Sequence, residues 1–416
     1  MNHSKQPFLL PFERRSIVAL SLIYAIRMLG LFMLLPVMVL YAEHFPDATA
    51  MLTGIAVGIY GLTQAMLQIP FGILSDIWDR RLIITLGLLL FFLGSLLAAY
   101  SHSIAGLIVG RAVQGSGAVA AAILALLADG TRENRRSFAM AIIGGSIGAS
   151  FIAALVLGPL VYSWIGGRGL FVLLAGLSVV AIALLWLLMP ATERTKRAPD
   201  AKSEPTRFSP AILRNGRLII LNAGIFCLHA VLTASFIAVP LLLRDRFAIP
   251  AGHHWLIYLA VMGASLVVVL PGLLVAEKRG LNNLLLLVAA VFSLLALIWL
   301  GCMQPALTPV MVALVMFFVG FNIMEAVLPA MASRSGPPEH KGAIMGLFST
   351  CQFAGAFFGG VCGGAILGAW GVQTIFVAGS GIIAAWLLAA VFGLVTTEQS
   401  QVSHGGKRVG SSENEY

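Results

Sequence analysis

Apolar runs of about 20 residues, each long enough to cross a ~30 Å hydrocarbon layer as a helix, recur along the whole 416-residue chain. Twelve can be placed, at 16–42, 51–74, 82–100, 104–128, 137–163, 167–189, 217–243, 254–276, 281–303, 307–331, 342–367 and 371–395. In a bilayer every backbone amide must find its partner within the chain, which leaves helices or closed barrels as spanning structures. Runs this long predict helices, so the expected fold class is an all-α polytopic membrane protein with twelve transmembrane helices. The composition agrees, with 59% hydrophobic and 10% charged residues against roughly 45–50% and 25% in soluble domains. The first run is too long for a signal-peptide core and lacks a small-residue cleavage site, so it reads as an uncleaved span.

Basic residues set the orientation, because Lys and Arg are retained on the cytoplasmic side. With the N-terminus inside, the cytoplasmic segments hold 21 of the 26 Lys and Arg, the outer loops hold Arg168, Arg244 and Arg246, and Arg27 and Arg111 lie within spans. Tails 1–15 and 396–416 are thus expected in the cytoplasm, with the protein in a cell inner (plasma) membrane. The net charge of +9 follows from that asymmetry and does not imply nucleic-acid binding. Residues 190–216 form a polar, proline-bearing linker that divides a six-helix bundle at 16–189 from another at 217–395. An internal repeat supports the division: Arg135–Met140 aligns with His340–Met345 at an offset of 205, which also carries Gly158 onto Gly363. Paired halves are a transporter architecture, with the substrate bound between them near the midplane.

The loop after the second run reads Gly72-Ile-Leu-Ser-Asp76-Ile-Trp-Asp79-Arg80-Arg81. Within the fourth run lies Gly110-Arg111-Ala-Val-Gln114-Gly115-Ser-Gly117, and within the fifth lie Gly145, Gly148, Gly158 and Pro159. These strings resemble motifs of the major facilitator superfamily, over nearly all of residues 14–395. Gly72, Asp76, Arg80 and Arg81 match the family's loop, while Ile77 and Asp79 depart from it, and the antiporter glycine motif of the fifth span is only partly present. The strings Arg27-Met-Leu-Gly-Leu-Phe-Met, Gly58-Ile-Tyr-Gly-Leu-Thr-Gln64 and Phe321-Asn-Ile-Met-Glu325 are similar to the YajR group of bacterial inner-membrane transporters. About 20 polar residues follow the last run, too few for the extra cytoplasmic domain that ends the group's namesake, so that domain is expected to be missing. The resemblance implies two pseudo-symmetric bundles and a conformational clamp in which Gly72, Asp76, Arg80 and Arg81 work with Asp129. Asp76 would meet the start of span 11 near Gly342–Gly346, where the positive end of a helix dipole favours a carboxylate. The glycines of span 5 read either as close packing or, as the resemblance implies, as a seal against proton leak.

Polar groups deep in apolar spans are costly, about 2.5–3.5 kcal/mol for a charge on insertion scales, and so are functional candidates by default. Here they are Arg27, Arg111, Glu325 and His229, accompanied by Gln64, Gln68, Gln114, Asn222 and Asn322. Desolvation favours the protonated form of a carboxyl group and a nearby cation the ionised form, so a carboxyl alternating between such surroundings can carry a proton. Glu325 is the first candidate; the alternative is a fixed ion pair with an arginine. His229 titrates in the physiological range, although a lone histidine can equally be a packing residue. Arg111 is a candidate counter-ion or a pin to the carbonyls of span 1, and Arg27 is similarly ambiguous.

No nucleotide loop, nucleophile elbow or metal-ligand spacing is present, and the four cysteines read as packing residues. The expectation is therefore not an enzyme but a transporter of small organic compounds. Proton-driven efflux by alternating access leads; proton-coupled uptake and a non-transporting membrane scaffold are the alternatives. No cofactor beyond the proton gradient and no metal is expected; the partners are a small-molecule substrate, protons and the lipid bilayer, and the chain is expected to act as a monomer.

Overall fold

The structure, a computed structural model, describes residues 8–189, 214–302, 306–337 and 340–409, with 394–409 described by backbone. The expected linker at 190–216 therefore lies almost wholly outside the described residues.

Helix α1 (Pro11–Leu34) starts at a proline, whose missing N–H would be unpaired there anyway, and Glu13 accepts the Leu10 N–H at 2.9 Å. Pro36 cannot continue the helix, and after a turn the chain re-enters as α2 (Met38–Ala42). Side-chain caps start α3 (Ala50–Ile77), α4 (Arg80–Ala99) and α5 (Ile104–Gly115): Thr49 accepts from Leu52 N, Asp79 from Arg81 N and Ser103 from Gly106 N. Each supplies an oxygen to an amide that lacks an intrahelical partner. The fourth span is broken, because α5 ends at Gly115 and α6 (Ala120–Asp129) begins four residues beyond Ser116.

The next helix, α7 (Glu133–Leu188), has 56 residues. At 1.5 Å per residue that is about 84 Å, far more than one bilayer crossing, and Gly166 interrupts it with φ 66°. A side chain is disfavoured at that angle and glycine is not, so α7 comprises spans five and six joined where the sequence places a short connection. Gly371, at φ 83°, makes the equivalent joint between α12 (Lys341–Trp370) and α13 (Val372–Val409). Between these regions run α8 (Gly216–Leu241), which passes through a π turn at Leu242–Arg246, then α9 (His254–Arg279), α10 (Asn282–Cys302) and α11 (Leu307–Ala332). With α5 and α6 as one span and α7 as two, the described helices supply the twelve crossings.

The chain forms two compact units, Met1–Ser203 with Leu232–Ala260 and Ala356–Val372, and Glu204–Val231 with Val261–Gly355 and Gln373–Tyr416. They do not coincide with the sequence halves 16–189 and 217–395. The reason lies inside the first unit, where the beginning of α3 packs on the last turns of α12. Cβ atoms at Gly54 and Gly58 would collide with backbone at Phe357, Gly360 and Gly364. At the same level Arg244 pairs with Glu43 and with Asp245.

Candidate functional site

The second unit brings together two titratable residues from distant helices. His229 on α8 is buried, and its Nδ1–H donates to the Ile225 carbonyl one turn earlier at 3.3 Å. In the neutral ring that leaves Nε2 as an acceptor. Gln352 on α12 fills the gap: its Nε2 lies 2.9 Å from His229 Nε2 and 3.1 Å from Glu325 Oε1 on α11. Glu325 Oε2, 3.8 Å from His229 Nε2, has no hydrogen-bond partner among the described residues. The fixed Glu325–arginine pair weighed from sequence does not occur among those residues, where the ion-pair partner within reach of Glu325 is His229. The Phe321 ring packs 6.0 Å from the imidazole. Asn322 reaches Ser265 on α9 at 3.5 Å, and the buried Asn222 keeps a carbonyl oxygen unpartnered among the described residues.

The first unit holds the other deep polar residues, in two small networks. Arg27 donates from Nη2 to Gln64 Oε1 at 2.7 Å and to the Gly117 carbonyl at 2.6 Å, and Gln64 donates to Gln68 at 3.0 Å. Gly117 lies in the break between α5 and α6, and its carbonyl accepts both this guanidinium and the Val119 N–H, the latter at 2.9 Å. Arg111 donates to Gln114 Oε1 and to the Ala56 carbonyl, and stands 5.0 Å from the Tyr60 ring centre. Its carbonyl partner therefore belongs to the second span, correcting the expectation of the first. Gln114 passes the network on to Ser95 at 2.9 Å.

In the loop between α3 and α4, Arg80 pairs with Asp129 at the end of α6, lies 3.5 Å from Asp76 and donates to the Ala125 carbonyl at 2.5 Å. Asp79, the departure from the family pattern, caps α4 by accepting the Arg81 N–H at 2.7 Å, and Arg80 is left free for Asp129. Arg81 turns away from these acids onto Trp186, 4.2 Å from its ring centre. A Cβ at Gly72 would meet the methyl of Ala121 at ordinary contact distance.

The glycines of the fifth span divide. A Cβ at Gly158 would collide with the Met33 carbonyl of α1, and Pro159 is buried beside it. Around Gly145 and Gly148 an added Cβ would meet no described atom within 4 Å. Close packing thus accounts for Gly158, while a methyl at Gly145 or Gly148 would touch no described atom.

Residues 20–360 match the Major Facilitator Superfamily. The chain belongs to that superfamily. It is 43% identical to the inner membrane transport protein YajR of Escherichia coli (strain K12), over 91% of this chain and 83% of that one. It is 26% identical to the multidrug resistance protein MdtH of Aeromonas salmonicida (strain A449), over 81% of this chain and 84% of that one. In fold it is similar to the crystal structure of the nucleoside transporter NupG, with TM-score 0.70 and 14% identity over 92% of this chain and 99% of that one. This is a multi-pass membrane transporter with the superfamily fold.

Two residues of this superfamily member carry contacts that sequence reasoning missed. Gln352 gave the same signal as Gln64 and Gln114, an amide inside an apolar run, but it sits in a stretch with Ser349, Thr350 and Cys351 that dilutes it. Glu13, placed in the cytoplasmic tail, is buried and takes Arg132 through its backbone N–H at 2.9 Å and through Nε and Nη2 at 2.8 and 2.9 Å. The carboxylate raises the Arg132 pKa above its ordinary value. Nothing in the local sequence marks a pair separated by 119 positions.

Proposed function

We propose that this transporter is a proton-driven exporter of small organic compounds, of the drug:H+ antiport type, working by alternating access in a cell inner membrane with both termini in the cytoplasm. The observation that carries the reading is the His229–Gln352–Glu325 cluster. It puts an imidazole and a carboxyl group, joined by an amide, inside helices that are otherwise apolar, where a charge is tolerated chiefly for function. The name of MdtH, a multidrug resistance protein, and that of YajR, an inner membrane transport protein, support export and location respectively. Arg111 and Arg27 shape the polar interior of the first unit, and the Asp76–Arg80–Asp129 contacts act as a clamp that holds one access state. A small-molecule substrate and protons are the partners, the proton gradient is the energy source, and the chain acts as a monomer.

The test uses inside-out vesicles energised to an acidic interior, with a pH-sensitive dye that reports proton release as compounds are added. Substrate-dependent dequenching that disappears in Glu325→Gln is the expected result. Correctly inserted protein that gives no response to a broad panel, yet shows inward pH-dependent uptake, would replace export by symport.

A further inference from the structure

The Gln352 amide holds one proton state of the cluster and opposes another. With its nitrogen turned inward, one N–H serves the His229 Nε2 lone pair and the other the Glu325 Oε1. A proton on His229 Nε2 would set N–H against N–H, and a donor facing a donor beside a buried ring is costly. Turning the amide by half a rotation about its last carbon–carbon bond places its oxygen in the same position. That oxygen accepts from an Nε2–H, but it then faces Glu325, and two oxygens repel unless the carboxyl carries a proton to donate.

We infer that Gln352 is a positioning residue that makes protonation of His229 conditional on protonation of Glu325, so that the two protons load in order, carboxyl first and imidazole second. The first proton comes from water to Glu325, whose side chain is 35% exposed where that of His229 is 9%. The amide then turns, donating and accepting sites exchange, and the second proton settles on His229 Nε2 facing the amide oxygen. Unloading reverses the sequence. The other titratable or charged groups on these helices are Arg217 and Cys227 on α8 and Lys341, Cys351 and Cys362 on α12; α11 has none besides Glu325, and α10, packed along it, has only Cys302. Helix α9, which Asn322 reaches through Ser265, carries His254, Tyr258, Glu277, Lys278 and Arg279, all toward its two ends. Among the described residues no arginine or lysine forms an ion pair with Glu325. The amide is therefore the group that couples the pair.

The inference rests on reading this cluster as the proton-coupling site, and its test needs neither substrate nor gradient. In purified full-length protein in detergent, histidine-labelled with nitrogen-15, the imidazolium-to-imidazole ratio of His229 is read across about pH 5 to 8, where histidine ordinarily titrates, with His229→Asn supplying the assignment. A direct ion pair and the amide switch differ in sign. Glu325→Gln removes a negative charge, which by Coulomb attraction alone lowers the imidazolium ratio at fixed pH. Under the switch the same substitution mimics the protonated carboxyl, lets the amide turn, and raises the ratio about fivefold, the worth of one hydrogen bond. In a Gln352→Met background the raise is expected to become a fall.

A fall or no change in Glu325→Gln with Gln352 intact overturns the inference, as does the lack of any imidazolium signal. If Gln352→Met yields no folded protein, the comparison of wild type with Glu325→Gln still decides the sign. Dequenching in vesicles that survives a failed switch leaves export standing without it; a switch present without dequenching leaves the coupling and removes the export reading.

Discussion

Arg27 donates to the carbonyl of Gly117 at 2.6 Å, across 90 positions of sequence. The contact lies at a discontinuity: the fourth span breaks between Gly115 and Ala120, and the cation on α1 donates to a carbonyl within that break, which also accepts the Val119 N–H at 2.9 Å, while holding Gln64 on α3. Nη2 of this arginine, which has no carboxylate beside it among the described residues, is thereby satisfied by neutral oxygens, while Nε and Nη1 have no hydrogen-bond partner among those residues.

Arg27→Met should then lower thermal stability. Two hydrogen bonds from a charged donor are lost, each worth about 1.5–3 kcal/mol, against relief from burying a charge. The expected result is a lower melting temperature in detergent. Arg27→Lys is expected to recover only part of it, since both bonds come from the terminal Nη2 and the shorter lysine stem carries its ammonium short of that position. A melting temperature equal to that of the wild type would show that the Val119 N–H by itself satisfies the Gly117 carbonyl.

Asp79 departs from the family pattern but acts as a helix cap. Asp79→Ala is expected to cost about 0.5–2 kcal/mol, the usual worth of an N-cap, whereas Asp79→Asn retains most of it. Thermal melts of the two variants, made alongside Arg80→Ala to separate the cap from the Asp129 pair, check the assignment.

Opposed contacts lie at the two ends of α3. Near its start are the Glu43–Arg244 pair and the glycine seam with α12; at its end are Asp76, Arg80 and Asp129. The two acids of the Arg244 and Arg80 pairs should bias access in opposite directions. Labelling of an introduced span cysteine from the periplasm is expected to fall in Asp76→Asn and to rise in Glu43→Gln. Glu43 and Arg244 are 41% and 37% exposed, so their pair is worth only about 0.2–1 kcal/mol, and the change should be a few-fold and fade with salt. Movement of both variants in the same direction would remove the clamp reading.

Gly158 and Gly145 separate packing from other uses of glycine. Gly158→Ala drives a methyl into the Met33 carbonyl and is expected to cost about 1–3 kcal/mol, as overpacking usually does. Gly145→Ala meets open space and should leave stability unchanged or raise it by up to about 1 kcal/mol through helix propensity. A loss of proton tightness in vesicles with Gly145→Ala, at unchanged melting temperature, would assign that glycine to the seal.

Much of the architecture is legible before any coordinates, because length and apolarity suffice to specify a crossing. The twelve runs appear as helices, and the short connection near 165 appears as the left-handed Gly166. The break in the fourth span is not legible: α5 and α6 together read as one apolar run, and nothing local distinguishes a glycine that interrupts a helix from one that lets helices approach. Asp79 illustrates the opposite failure, since a mismatch to a motif looks like damage until the amide it caps is seen.

The sequence by itself determined that the chain crosses a membrane and which few polar residues lie within the crossings, since both follow from transfer energies summed along a one-dimensional string. Which of those residues meet was decided only by the tertiary structure. His229, Glu325 and Gln352 stand on three helices, and each helix is apolar nearly all round, so no periodic stripe announces which face turns inward. Rotation and register are set by packing against neighbours far away in the chain, and it is that packing which brings an imidazole, a carboxyl and one amide to within a hydrogen bond of each other.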